Sequence, residues 1–178
     1  MTAQHDAVPA PSVVIVGAGF EAWGRLPLIG GQRVSDHFNE RRTMLILESA
    51  QLEGCPTFDN AADELAINRN DILLVVPVAE PVATGAAPHV VHKEQHRVRL
   101  LVGDWVVEGD IHVTPELSVE RFINMGHGEF MPLTDVRLNG PDTERVEDLV
   151  LISRRHIRLL RPVSSMTSDA LAEVAQQR

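Results

Sequence analysis

INRNDILLVVPV, residues 67 to 78, returns as ISRRHIRLLRPV at residues 152 to 163, and that recurrence decides how the rest of the chain is read. Ile67, Arg69, Ile72, Leu74, Pro77 and Val78 meet the same residue 85 positions later, at Ile152, Arg154, Ile157, Leu159, Pro162 and Val163. Further back, Gly24, Val34 and Asn39 meet Gly109, Val119 and Asn124 at the same distance, while Leu47, Leu52 and Gly54 meet Leu133, Leu138 and Gly140 at 86. An offset that slips by one and recovers is the mark of a duplicated segment with one extra residue, here between Asn124 and Phe130.

Each copy reads as the same series of short elements. Ser12 to Val16 and Phe20 to Leu28 are β-rich, answered by Val98 to Val102 and Trp105 to Val113, with Phe20 and Trp105 at matching positions. RVSDHFNE and SVERFINM have helical apolar spacing and predict one or two helical turns. MLILESAQL and FMPLTDVRL read as strands; a loop containing Gly54 or Gly140 follows. Leu65 to Val76 and Val150 to Leu160 carry a polar break, predicting two strands joined by a bend.

The expectation is therefore a mainly β protein: two tandem small β-barrel-like repeats of about five short strands, each with one short helix. Its parts are a flexible tail at 1–11, the first repeat at 12–78, a Pro- and Ala-rich linker at 79–95, the second repeat at 96–163, and a C-terminal extension at 164–178. Ser168 is placed in that extension to cap a short helix. Either repeat alone would have a marginal core, so mutual packing or self-association is expected.

Composition narrows the function. A net charge of −9 disfavours a broad RNA or anionic-membrane surface, since phosphate binding rests on many Lys and Arg contacts. Cys55 is the only cysteine, which rules out an internal disulfide and a cysteine zinc cluster and fits a reducing compartment. The start MTAQHDAVPAPS has no secretion-signal pattern, and no apolar stretch is long enough to span a bilayer, so a cytoplasmic location is expected. VVIVGAGFEAWG, from Val13 to Gly24, resembles a dinucleotide-binding loop only superficially. Its glycine spacing is wrong, Pro27 and Gly30-Gly31 stand where the helix should begin, and the second copy has VRLLVGDWVVEG instead. No nucleotide cofactor is expected.

Gly24, Leu26, Asp36, Asn39 and Leu47 in the first copy resemble the first motif of Sm-like small β-barrel domains, which belong with the SH3-like barrels. Ile67, Arg69 and Ile72 resemble the second motif. In the second copy the matching residues are Gly109, Ile111, Arg121, Asn124 and Leu133, then Ile152, Arg154 and Ile157. The resemblance implies a strongly bent five-stranded barrel and, for the Asn and Arg, a pocket that holds an RNA base. The phrases RVSDHFN, LESAQL and INRNDI are also similar to uncharacterised bacterial domains of unknown function.

Asn39 with Asn124 and Arg69 with Arg154 are the polar pairs identical in both copies, and so the first candidates for binding. As structural devices, the Asn would end a short helix and the Arg would tie down loop carbonyls. Arg154, His156 and Arg158 alternate onto one expected strand face, open to a partner with Arg155 and Arg161 nearby, whereas Leu73 and Val75 of the first copy make an apolar interface. His89, His92 and His96 form HxxHxxxH, but in a linker without cysteine, and no metal is expected. No catalytic constellation emerges from spacing. The expected function is a non-enzymatic binding or assembly module for protein partners or for self-association. An RNA-binding Sm-like protein and a small-molecule sensor binding between the repeats are the alternatives.

Overall fold

The structure is a computed structural model that describes residues 10–29, 32–78, 92–126, 128–141 and 143–163. Residues 1–9 of the N-terminal tail, most of the linker with His89, His127, and the C-terminal extension with Ser168 lie outside the described residues. The protein is mainly β. Its first half holds β1 (Ser12–Gly17), β2 (Glu21–Arg25), α1 (Val34–Phe38), β3 (Met44–Glu53), β4 (Ala61–Asn68) and β5 (Ile72–Pro77). The second half repeats that order as β6 (Glu94–Val102), β7 (Trp105–Val113), α2 (Val119–Met125), β8 (Phe130–Asn139), β9 (Glu144–Ser153) and β10 (Ile157–Pro162). A single 3-10 turn, Arg69–Asp71 or Arg154–His156, forms the bend before β5 and before β10. No described helix is long and apolar enough to cross a membrane.

The strands do not close into two barrels. They form one open antiparallel sheet in the order β10-β6-β7-β8-β9-β5-β1-β2-β3-β4, with β10 and β4 as its two ends. The halves join where β5 pairs with β9, Leu74 opposite Ile152 and Val75 opposite Leu151. The second half also starts earlier than expected: β6 takes in Glu94 and Gln95, paired with Val113 and His112.

The glycines common to both halves sit at one kind of defect. On β2 the register with β3 breaks between Trp23 and Arg25, and on β7 the register with β8 breaks between Glu108 and Asp110. In each case two residues face a single glycine: Ser49 and Ala50 face Gly24, and Asp135 and Val136 face Gly109. Ser49 and Asp135 are in the left-handed region at φ 50° and 51°. Such a bulge bends the strand sharply over the core.

Two cores result, one on each face of the sheet at its centre. Val13, Ile15, Leu47, Phe38, Ile72 and Val75 belong to the first. Val16, Leu74, Val76, Leu100, Leu133 and Ile152 belong to the second. The unbroken apolar run ILLVVP of β5 is the expected signature of a strand buried on both faces, and its first five residues are all buried.

Candidate functional site

The junction between the halves is built by the elements around β5. Arg69, 4% exposed, reaches back from the 3-10 turn to the end of α1. It donates from Nη1 to the carbonyls of Glu40 and Arg42 and from Nη2 to the carbonyl of Phe38. These carbonyls lie at the end of a short helix and in its following turn, where the Glu40 carbonyl also accepts from the Arg42 amide, and a guanidinium supplies several donors in one plane. Its Nη2 also lies 3.4 Å from Glu129 of the second half.

Asn39, which follows α1, crosses the junction. Its Nδ2 donates to the carbonyls of Ser35 (2.9 Å) and Phe130 (3.1 Å), and its Oδ1 accepts from the Phe130 amide at 2.9 Å. The side chain thus pairs with the first residue of β8 as a neighbouring strand would. Gly128 makes room for it: at φ +98° it has no side chain, and a Cβ there would stand 2.5 Å from Asn39 Oδ1. Phe130 is buried in the first half's core, its ring edge-on to Phe38 with centroids 5.3 Å apart. Around this centre Arg155 binds Asn70 and lies 3.3 Å from Glu129, and His156 Nε2 donates to the Asn70 carbonyl at 2.6 Å. Arg145 grips both carboxylate oxygens of Glu21 at 2.9 and 2.8 Å.

In the second half Arg154 does what Arg69 does, donating from Nη1 to the carbonyls of Phe122 (3.1 Å) and Ile123 (2.9 Å) at the end of α2. Burial lowers its pKa below the ordinary guanidinium value. Asn124 occupies the place of Asn39, yet among the described residues its side chain makes no hydrogen bond. Arg154, His156 and Arg158 do not share one strand face as expected. The first two lie in the 3-10 turn, where two-residue alternation does not hold, so Arg154 points inward to α2, His156 binds Asn70, and only Arg158 lies on β10.

Leu73 packs in the second core and Val75 in the first, on opposite faces of β5. Their counterparts on β10 are Arg158, exposed, and Leu160, half-buried. Leu159 is 66% exposed, whereas its counterpart Leu74 is fully buried. Among the described residues only β6 lies beside β10, so its other edge has no strand partner there, with Arg158, Leu159 and Arg161 beside it. At the far end of the sheet β4 presents Asp63, Glu64 and Ala66, all exposed, and Met44 at the start of β3 is 44% exposed.

Sequence reasoning missed Gly128, Glu129 and Phe130, which receive Asn39 and Arg69. The signal was the one-residue insertion before Phe130, which lengthens the loop carrying Gly126 and Gly128. A cleft of about 580 Å³ also opens between the halves, lined by Phe20, Glu21 and Leu73 from one and Asp104, Trp105 and His156 from the other. His96, on β6, lies 3.6 Å from Glu94. Compared with protein-family models, with curated proteins and with solved structures, the chain matches none of them.

Proposed function

We propose that this protein is a non-enzymatic binding and assembly module, made of a duplicated small β domain, that takes protein strands on the open edge of β10. The observation that carries the reading is the contrast between Leu74, fully buried where β5 meets β9, and Leu159, 66% exposed on β10, which among the described residues pairs only with β6. An edge strand offers main-chain hydrogen bonds to an extended segment, and side-chain pockets supply specificity. Arg158 and Arg161 favour an acidic segment. A cytoplasmic setting fits the lone Cys55.

Three of the four side chains that the Sm-like resemblance would give to an RNA base are otherwise employed: Arg69 and Arg154 on helix-end carbonyls, Asn39 on Phe130. With the net charge of −9, this favours protein over RNA. The test is hydrogen exchange during titration with extended peptides that alternate aliphatic and acidic residues. The amides of Ile157 to Arg161 gain protection if the reading holds. Exchange that stays fast with every such peptide, together with salt-sensitive binding of single-stranded RNA, would replace it with the RNA reading.

The cleft between the halves favours a second reading, a small-molecule sensor. It requires a ligand that raises the melting temperature, and Trp105→Ala removes that rise.

A further inference from the structure

We infer that the occupant of the β10 edge is the β4 edge of a second copy of this chain, so that molecules join head to tail; this rests on the assembly reading above and names its partner. The internal junction is the template. It joins non-equivalent edges, β5 of the first half and β9 of the second, and the equivalents of those two edges are β10 and β4, the two ends of the sheet. Shifting the internal register by the 85-residue repeat places Leu159 opposite Ile67 and Leu160 opposite Ala66 of the next molecule.

Three features agree with that register. Leu159, exposed in the single chain, takes the place that buries Leu74. Arg161 falls diagonal to Asp63 on the same sheet face, within reach of a long side chain, so a basic edge meets an acidic one. Asn124, which has no side-chain hydrogen bond among the described residues, gains the receptor that Asn39 has in Phe130. The matching residue is Met44, 44% exposed at the start of β3. Arg42 stands where Gly128 admits Asn39, so the loop backbone there has to carry its Cβ aside; its side chain is 58% exposed and, among the described residues, ion-paired to Glu40. Because the interface is heterologous, each added molecule leaves the same two edges open until a ring closes or a filament grows.

The experiment is light scattering and sedimentation of the full chain over a wide concentration range, with the variants Leu159→Asp, Asn124→Ala and Asn39→Ala. The mass is expected to rise in multiples of 19.6 kDa with concentration. Leu159→Asp returns the protein to monomer, and Asn124→Ala weakens association about tenfold or more while leaving the melting temperature of the dilute monomer unchanged, as two lost hydrogen bonds between molecules imply. Asn39→Ala, the same change in the other half, instead lowers the melting temperature. As a test that does not depend on folding of these variants, chains carrying Ala66→Cys mixed with chains carrying Leu160→Cys form an intermolecular disulfide, and Asp63→Cys with Leu160→Cys does not. A monomer at every concentration overturns the inference and leaves β10 to a different protein. An oligomer indifferent to Leu159→Asp and Asn124→Ala overturns this geometry. Only a β10 edge that neither a second copy nor a peptide protects would overturn the assembly reading itself.

Discussion

Asn39 reads and satisfies a strand that belongs to the other half of the molecule, and its removal leaves the amide and carbonyl of Phe130 without partners in a largely dry place. Asn39→Ala is expected to cost about 2 kcal/mol, since stranding partly buried backbone groups costs more than losing the bonds themselves. The Phe130 amide should then exchange with solvent faster than its strand neighbours do, which nuclear magnetic resonance detects directly. His37 makes a different prediction. It is 7% exposed, and burial above all holds its pKa below the ordinary imidazole value; Arg42 and Arg69 act in the same direction and Glu40 opposes them. The unfolded chain therefore takes up the proton first as pH falls. The stability that neutral His37 contributes is complete above about pH 6.5 and drains away below it. The second half has Phe122 at this position, and His37→Phe should flatten the acid side of a stability-against-pH curve measured in urea. An unchanged slope would assign acid sensitivity to other groups.

At the scale of elements, the bulged strands explain why a glycine recurs in each half. A Cβ on Gly109 would lie 3.1 Å from Val136 Cγ2 and 3.2 Å from both Leu133 Cδ2 and the Thr134 carbonyl, and a Cβ on Gly24 would meet the Glu48 carbonyl at 3.0 Å. Gly109→Ala must push the strands apart or shift the core, and a loss of about 1–3 kcal/mol is expected, read from the denaturation midpoint. The order of the elements was open to sequence reasoning because strands, short helices and bends leave local marks. Val34 and Phe38, or Val119 and Ile123, space a helix, and INRND and ISRRH interrupt a strand. Strand partners leave weaker marks. The apolar face of β5 states that it is covered but not by what, and nothing local in EDLVLIS identifies β9 as its neighbour. The candidate site was legible in its identities, Asn39 with Asn124 and Arg69 with Arg154. Its receptor was not, because Asn39 binds the backbone of Phe130, and a backbone group leaves no mark in the identity of its residue.

Over the whole molecule, the repeated segment is used in two environments. One copy of the INRND…LLVVP stretch is interior and the other is an edge, and the charges follow: IRLLRP carries two arginines where ILLVVP carries none. The two barrel-like repeats expected from the sequence are not found as closed units, because closure depends on which edges find each other. A barrel would require β5 to return to β4 of its own half, whereas β5 is taken by β9.

The sharing of β5 and β1 between two cores bears on how the protein comes apart. Val13, Ile15, Ile72 and Val75 line one core, and Val16, Leu74 and Val76 line the other, from the same two strands. Neither half can melt without stripping one side of the strands that hold its twin together. Thermal unfolding of the dilute monomer should therefore be a single cooperative transition with equal calorimetric and van't Hoff enthalpies, and the slowest-exchanging amides should gather on β1, β5 and β9 rather than at the middle of either half.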